Sequence, residues 1–208
     1  MYKQKVVLGV APTKRSFLSM EEAKRQKDKF MARIRAIKPE AVEIIDVDEL
    51  CENGIMWDTA KIPAVVEKFR RVGIDALFLP FCDFGEEQVV AQIAGAFKVP
   101  TLVWGARDER PNSDEVRGRD TQCGMFAATK VLRRYGVKYS YIWNCETESD
   151  DFAKGYENFI RVAAVLKALK NLRVAKIGER PVPFMRVMTN EANQLNRIEI
   201  TTVPVSPF

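Results

Sequence analysis

The sequence of 208 residues contains no histidine. Histidine is the usual acid–base group near neutral pH and a common metal ligand. Its absence excludes Ser/His and Cys/His nucleophile systems and most transition-metal sites within this chain. Any chemistry must therefore use carboxylates, lysine, cysteine or tyrosine, or be completed by residues from elsewhere.

Long apolar runs and closely spaced cysteines are also missing. No stretch approaches the roughly 20 apolar residues that cross a bilayer, and the first ten residues turn polar too soon for a signal peptide. We therefore expect a cytoplasmic protein with no membrane partner. Without C-x-x-C spacing, the cysteines are expected to be reduced thiols with no disulfides. They are Cys51, Cys82, Cys123 and Cys145.

Phosphate-binding signatures are absent as well. No G-x-G-x-x-G and no P-loop follows the first apolar segment, so neither a dinucleotide nor ATP is implied. The formal charge of +5 comes from 33 basic and 28 acidic residues spread along the chain, without a polybasic tail. This charge pattern does not indicate a nucleic-acid partner, and we predict none.

Apolar strand-like segments alternate with amphipathic helix-like segments along the chain. Ser19 and Glu22 have the S-x-x-E spacing of a capping box. Pro63 suits the first turn of a helix and Gly73 suits its end. The predicted strands are residues 6–10, 41–47, 74–81, 100–104 and 139–143. The predicted helices begin at the Ser19 cap and then cover 63–73, 86–97, 123–135 and 151–172.

This order predicts an α/β fold of the Rossmann-like or flavodoxin-like kind, a three-layer parallel sheet with helices on both faces. We predict an amino-terminal α/β domain over residues 1–172. Residues 173–208 would form the first βαβ unit of a second α/β domain, truncated because one such unit cannot bury both faces of its sheet. Its predicted elements are strands at 173–177 and 198–205 and a helix at 190–196. Alternatively, these strands extend the first sheet.

Ligands of open α/β sheets gather beyond the carboxyl ends of the strands. In those loops, Arg15, Arg107 and Arg110 offer guanidinium donors to a polyol, although solvated ion pairs are the commoner outcome. Trp104 can stack on a sugar ring or pack in the core. Cys82 can be a reactive thiol or a packed one, and packing is favoured because no histidine can activate it.

Four ordered blocks resemble the amino-terminal region of the L-fucose/L-arabinose isomerase family. The blocks are LPFCDFGEE at 79–87, VWGARDE at 103–109, RDTQCG at 119–124 and KVLRRYG at 130–136. The segment at 178–181 and Phe184 resemble the start of that family's second domain. The resemblance covers essentially the whole chain.

The resemblance implies an intramolecular oxidoreductase, an aldose–ketose isomerase with an aldose or ketose substrate. A divalent ion, usually Mn²⁺, would hold neighbouring sugar oxygens while carboxylates move a proton between carbons 1 and 2 through an enediol. In that family a Glu, an Asp and a His beyond this region bind the ion. The resemblance therefore implies no catalytic or metal-binding residue here, and a chain that is inactive alone.

The family places substrate contacts in its amino-terminal domain, often lent to a neighbouring subunit's active site, and the resemblance implies a homo-oligomer, a trimer or a hexamer. Close relatives carry a tryptophan about where Cys82 stands. By position, the substrate-binding residues implied here are Arg15, Phe81, Cys82, Asp83, Trp104 and Gln122.

Two other interpretations stay open. A stand-alone, non-catalytic sugar-binding or regulatory module could have kept this α/β domain and lost catalysis. An unrelated flavodoxin-like or nucleotide-binding domain would have the same alternation of elements, although the missing phosphate-binding motifs weigh against it.

Overall fold

The computed structural model of the protein describes residues 5–111, 118–170, 172–178 and 198–203. The strands are β1 Val6–Val10, β2 Val42–Ile45, β3 Ala76–Phe81, β4 Thr101–Gly105, β5 Ser140–Tyr141, β6 Leu172–Ile177 and β7 Ile198–Val203. The α-helices are α1 Met20–Ala36, α2 Ile62–Val72, α3 Glu87–Gly95, α4 Thr121–Arg134 and α5 Asp150–Lys170. Short 3-10 turns at Glu52–Gly54 and Thr59–Lys61 lead into α2.

The first five strands form one parallel sheet in the order β2-β1-β3-β4-β5. The chain runs outward from β1 to β2 on one side and to β3, β4 and β5 on the other. The crossover directions therefore change between β1 and β3, which is the switch point where flavodoxin-like sheets bind ligands. The predicted α/β fold is confirmed.

Helices cover both faces of this sheet. On one face, Leu77 and Leu79 of β3 belong to a buried apolar cluster with residues of α2, α3 and α4. On the other face, the Trp104 ring meets Phe30 of α1 at 6.2 Å and Phe152 of α5 at 4.3 Å between centroids. Alternate residues of the strands thus separate two helical layers, as the alternation of side chains along a strand requires.

Local sequence signals set several helix ends. The Ser19 hydroxyl accepts a hydrogen bond from the Glu22 backbone N–H at 3.2 Å, so the predicted cap of α1 is confirmed. Pro63 lies in the first turn of α2, and Gly73 ends that helix with a φ of 73°. A positive φ at this position favours glycine, which has no Cβ to clash with the backbone.

Two boundaries differ from the prediction. Helix α4 begins at Thr121 rather than Cys123, because the Asp108 carboxylate accepts the Thr121 backbone N–H at 2.9 Å. This cap comes from 13 positions away along the chain, where a local pattern does not reveal it. Strand β5 pairs with β4 only at Ser140 and Tyr141, so it is shorter than the predicted 139–143.

The chain divides into two compact units, Met1–Ala163 and Ala164–Phe208. Within the second unit, β6 and β7 pair in parallel over six residues and form a sheet of their own. The predicted helix at 190–196 lies outside the described residues. The predicted domain boundary at residue 172 stays a prediction. No described helix is both long enough and apolar enough to cross a membrane.

Candidate functional site

The loops after β1 and β3 are joined by backbone hydrogen bonds at the switch point. The Thr13 N–H donates to the Pro80 carbonyl at 2.9 Å, and the Cys82 N–H donates to the Thr13 carbonyl at 2.9 Å. The Lys14 N–H donates to the Met56 carbonyl at 3.1 Å, which adds the segment after β2. We call this set the loop junction; it consists of residues 13–16, 56 and 80–87.

Asp83 lies at the centre of the loop junction and is only 2% exposed. Its Oδ1 accepts the Arg15 backbone N–H at 2.7 Å and the Gly85 N–H at 2.9 Å. Its Oδ2 is buried and has no hydrogen-bond partner among the described residues. Burial raises the pKa of the Asp83 carboxyl above its usual value, against the lowering effect of these hydrogen bonds. Asp83 Oδ2 is therefore a buried acceptor to which a ligand can donate a hydrogen bond.

Lys14 is a buried cation beneath the same loop, with 2% of its surface exposed. Its Nζ donates to the Arg15 carbonyl at 2.7 Å and to the Ser16 carbonyl at 3.2 Å. The same atom lies 5.9 Å from the centroid of the Trp57 ring. Carbonyl oxygens and an aromatic face thus replace the water that would solvate this ammonium group.

Arg15 is the half-buried cation of the loop junction. Its guanidinium donates to Glu86 at 2.8 Å and to Glu87 at 3.1 Å, and it lies 4.6 Å from the centroid of the Phe84 ring. Both acids lie at the start of α3, where the positive end of the helix dipole stabilises negative charge. A ligand that binds Arg15 must therefore share this guanidinium with two carboxylates or displace one of them.

Two glycines allow the loop after β3 to pack closely. Gly85 has a φ of 73°, and a Cβ there would lie 2.5 Å from the Phe81 ring. A Cβ on Gly124 of α4 would overlap the backbone carbonyl of Phe84. The loop junction is thus seated against the first turns of α4, and side chains at these positions would push it away.

A second network joins the loops after β4 and β5. The Thr121 hydroxyl donates to the Ala106 carbonyl at 2.7 Å and accepts the Asn144 side-chain amide at 3.1 Å. The same amide lies 2.8 Å from the Gly105 carbonyl. A Cβ on Gly105 would approach the Thr121 Cβ to 2.8 Å, so the contact requires a glycine. These bonds hold the β4 loop and the start of α4 in one position.

A cavity of about 410 Å³ opens beside the loop junction, on the β2 side. Its wall includes Met56, Trp57, Glu52 and Asp58. Burial raises the pKa of the Cys51 thiol, which also lines it, to about 11. The cavity therefore offers an aromatic ring and carboxylate oxygens, while its thiol stays protonated at neutral pH.

The structure gathers most of the predicted substrate-binding residues at the loop junction. Arg15 and Asp83 share a hydrogen bond there, and Phe81 and Cys82 are buried beside them. Burial raises the pKa of the Cys82 thiol well above its usual value, which agrees with a packed thiol. Their role as substrate contacts stays a prediction.

The other two predicted residues lie elsewhere. Trp104 is fully buried between α1 and α5, so neither face of its ring is open to solvent. Gln122 is exposed in the first turn of α4, where its backbone N–H lies 3.4 Å from Asp108. Sequence reasoning did not single out Lys14 or Arg119, two buried cations at this edge. Charge alone favours exposure, so no local signal marks them.

The described residues do not fit a divalent cation. Across 5–111, 118–170, 172–178 and 198–203, no three His, Cys, Asp or Glu side chains are grouped to hold a metal ion. The nearby carboxylates have other partners: Asp83 holds backbone amides, Asp108 caps α4, and Glu86 and Glu87 pair with Arg15.

Two solved structures that match this chain are distant from it. The azoreductase AzrA covers 77% of this chain and 100% of its own, with 11% identity and a TM-score of 0.34. An ABC transporter solute-binding protein from Bacillus halodurans C-125 with bound myo-inositol covers 84% of this chain and 76% of its own. It has 14% identity and a TM-score of 0.34. Both TM-scores are too low to support an inference about fold or function.

Sequence relatives are more informative. Sulfoquinovose isomerases of Priestia aryabhattai and Priestia megaterium (strain ATCC 12872 / QMB1551) are each 21% identical to this chain over 155 residues. The match covers 73% of this chain and 33% of each relative. The chain thus spans about a third of the length of these curated relatives.

The model of one protein family, described as the N-terminal domain of fucose/sulfoquinovose isomerase, matches residues 9–170. The matched segment runs from β1 to the end of α5 and includes the loop junction. It confirms the resemblance that the four sequence blocks carry. The chain therefore belongs to the family of fucose/sulfoquinovose isomerase N-terminal domains.

Proposed function

We propose that this chain is the amino-terminal substrate-binding and oligomerisation part of a metal-dependent aldose–ketose isomerase of the L-fucose/L-arabinose type. In this proposal it is inactive alone. The family match over residues 9–170 is the observation that carries it. Such an enzyme is an intramolecular oxidoreductase, because one sugar carbon is reduced while its neighbour is oxidised.

The loop junction is the proposed place of sugar contact. The buried Asp83 Oδ2 can accept a hydrogen bond from a sugar hydroxyl, and Arg15 can donate to a sugar oxygen beside it. The neighbouring cavity adds the Trp57 ring and carboxylate oxygens, which are common partners of carbohydrate hydroxyls and ring faces. Backbone hydrogen bonds connect the loops of the junction, so its polar groups are organised before a ligand arrives.

Other parts of the proposal follow from the family resemblance. A divalent ion, Mn²⁺ by that resemblance, would polarise the sugar carbonyl and stabilise the enediolate, with ligands from sequence outside this chain. A trimeric or hexameric assembly and a cytoplasmic location belong to the same proposal.

The names of the two Priestia relatives add a second substrate candidate, the sulfonated hexose sulfoquinovose. The planar guanidinium of Arg15 suits the oxygens of a sulfonate. Because Glu86 and Glu87 hold this guanidinium, a sulfonate must displace a carboxylate, whereas a neutral sugar can bind beside the pair. Comparison of the two kinds of sugar therefore tests how Arg15 is used.

The experiment compares the 208-residue chain with the product of its complete reading frame. Both are purified with Mn²⁺ and assayed with L-fucose, L-arabinose and sulfoquinovose. We expect the longer product to convert one sugar and the chain alone to convert none. A frame that ends at Phe208, or a folded longer product without turnover, contradicts the enzyme proposal. Sugar binding without turnover would then favour a non-catalytic module.

Arg15→Ala in the longer product tests the loop junction itself. Loss of a charged hydrogen bond to the substrate should lower kcat/KM about tenfold. The exposed Arg134 at the end of α4 supplies the control, Arg134→Ala, which should leave kcat/KM unchanged. If Arg15→Ala and Arg134→Ala have the same kcat/KM, Arg15 does not contact the substrate.

A further inference from the structure

A separate crevice of about 240 Å³ opens between the middle of α1 and the loops after β4 and β5. It is smaller than the pockets of about 300–1,000 Å³ that take drug-sized ligands, so it suits one small polar molecule. None of its lining residues belongs to the loop junction. We call it the α1 crevice; its walls are Arg25, Gln26, Lys29, Ala106, Arg107, Asp108, Glu109, Arg119, Glu146, Thr147 and Glu148.

Arg119 is the buried cation of this crevice, with 4% of its surface exposed. Its Nε donates to the Glu109 carboxylate at 2.7 Å, and its Nη2 donates to the Arg107 carbonyl at 2.6 Å. Its Nη1 is buried and has no hydrogen-bond partner within the described part of the chain. A buried donor without an acceptor is destabilising, so a ligand oxygen that accepts from this atom would stabilise the folded protein.

The remaining charges of the α1 crevice have mixed signs. Arg25 pairs with Glu22, which lies outside the walls, and Asp108 caps α4. In the described residues, the side chains of four exposed members have no ion-pair partner: Lys29, Arg107, Glu146 and Glu148. Two cations and two carboxylates cancel, so the open groups supply donors and acceptors together with no net charge.

This combination favours a neutral ligand over an ionic one. An anion would meet Glu146 and Glu148, and a cation would meet Lys29, Arg107 and the buried Arg119. A hydroxyl group, in contrast, donates one hydrogen bond and accepts others, so a molecule with several hydroxyls matches both kinds of group.

We propose that the α1 crevice binds one neutral polyhydroxyl molecule of monosaccharide size, with Arg119 Nη1 donating to a ligand hydroxyl oxygen. This site is distinct from the proposed substrate contacts at Arg15 and Asp83. It requires no metal ion and no catalysis, so it stands or fails independently of the isomerase proposal.

The test is an NMR titration of the 208-residue chain, followed through backbone amide signals. The probes are L-fucose, D-glucose and the open-chain polyol glucitol, with inorganic phosphate as the anionic comparison. We expect at least one polyol to shift the amide signals of residues 106–109 and 146–148 in a saturable way. Phosphate should not reproduce these shifts.

Variants assign the binding to individual groups. Arg119→Gln should weaken polyol binding about tenfold through the lost charged donor. Arg119 also holds the β4 loop through the Arg107 carbonyl, so its substitution can disturb folding. Substitutions at the exposed Lys29 and Glu148 test the same binding without that risk. Lys29→Gln and Glu148→Gln should each weaken binding about threefold. Arg134→Gln, distant from the walls, should bind as the unaltered chain does.

Several results would overturn the proposal. These are the absence of saturable polyol shifts, tighter binding of phosphate than of any polyol, or equal polyol affinities for Lys29→Gln, Glu148→Gln and Arg134→Gln. Arg15→Ala should leave the titration unchanged. If Arg15→Ala abolishes the polyol shifts, the loop junction binds the polyol and the α1 crevice does not.

Discussion

The loop junction and the α1 crevice lie at the same edge of the sheet, yet they differ in which kind of buried atom has no hydrogen-bond partner among the described residues. At the loop junction the buried cation Lys14 has acceptors, and one carboxylate oxygen of Asp83 has no donor among the described residues. In the α1 crevice the carboxylate of Glu109 has a donor, and within the described part of the chain one guanidinium nitrogen of Arg119 has no acceptor. One site therefore offers an acceptor to a ligand and the other offers a donor.

The comparison also shows how each site is held in place. Backbone hydrogen bonds between neighbouring parallel segments, together with the Asp83 carboxylate, organise the loop junction. Side chains, chiefly Thr121, Asn144 and Asp108, organise the loops beside the α1 crevice. We therefore expect a side-chain substitution at Thr121, Asn144 or Asp108 to displace the loops beside the α1 crevice while it leaves the backbone hydrogen bonds of the loop junction in place.

The largest effect should come from Gly124→Ala. The added Cβ would overlap the Phe84 carbonyl, so the loop after β3 must move away from α4. We expect the free energy of unfolding to fall by about 3 kcal/mol, the upper end for overpacked sites. Urea unfolding measures it. Gly95→Ala is the control, since its Cβ would only touch the Tyr135 ring at 3.4 Å. Equal stabilities for the two variants would refute the close packing of this loop.

The next effect should come from Thr121→Val, which tests the side-chain network. The change removes a hydroxyl between Ala106 and Asn144 while it keeps a β-branched side chain. The unfolding free energy should fall by about 1.5 kcal/mol, because buried partners lose a hydrogen bond. Thr129→Val, where the hydroxyl bonds only within α4, should cost less. The opposite ranking in urea unfolding would mean that this network does not stabilise the loops.

A smaller effect on stability should follow from Arg15→Gln. Its ion pairs with Glu86 and Glu87 are partly exposed, so their loss should lower the unfolding free energy by about 0.5 kcal/mol. Added salt should shrink the difference from the unaltered chain, since salt screens exposed pairs. A cost several times larger, unaffected by salt, would show that Arg15 is a structural part of the junction.

Asp83→Asn should change how the free energy of unfolding depends on pH. Burial raises the pKa of Asp83 in the folded protein, so above the unfolded value of about 3.9 the folded state binds more protons than the unfolded state. The contribution of Asp83 to stability is therefore present at acid pH and is lost as the pH rises through the folded-state pKa.

Urea unfolding of both proteins between about pH 4 and pH 7 checks this sign. The unfolding free energy of Asp83→Asn, relative to the unaltered chain, should increase across that range. Subtraction of the two curves removes the titration of other groups. A difference that stays constant with pH would show that the pKa of Asp83 is not raised.

Much of the fold was predictable because its signals are local. The five strands of the first sheet and the cap of α1 were found from apolar runs and the S-x-x-E spacing. The start of α4 was missed by two residues, because its cap is the carboxylate of Asp108 on another loop. The predicted β5 was too long, because the ladder with β4 covers Ser140 and Tyr141, and beyond them Ile142 donates a single backbone hydrogen bond to Val103.

The candidate site was predictable only in part. The residue pattern and the resemblance located the loops after β1 and β3, and the structure joins Arg15 to Asp83 there. The same pattern leaves two roles open for Trp104, stacking on a sugar ring or packing in the core. Its contacts with Phe30 and Phe152 place it in the core. Which face of a strand is covered depends on helices that are distant in sequence.

By itself, the sequence determined the order of strands and helices, the family and the lack of any histidine for chemistry. Periodicity, capping residues and ordered blocks are read from neighbouring residues, so they need no tertiary information. Only the tertiary structure decided that Lys14 and Arg119 are buried, and that Asp83 and Arg119 each have one side-chain atom without a hydrogen-bond partner in the described residues. Burial and hydrogen bonding of this kind depend on segments many residues apart meeting at one edge of the sheet.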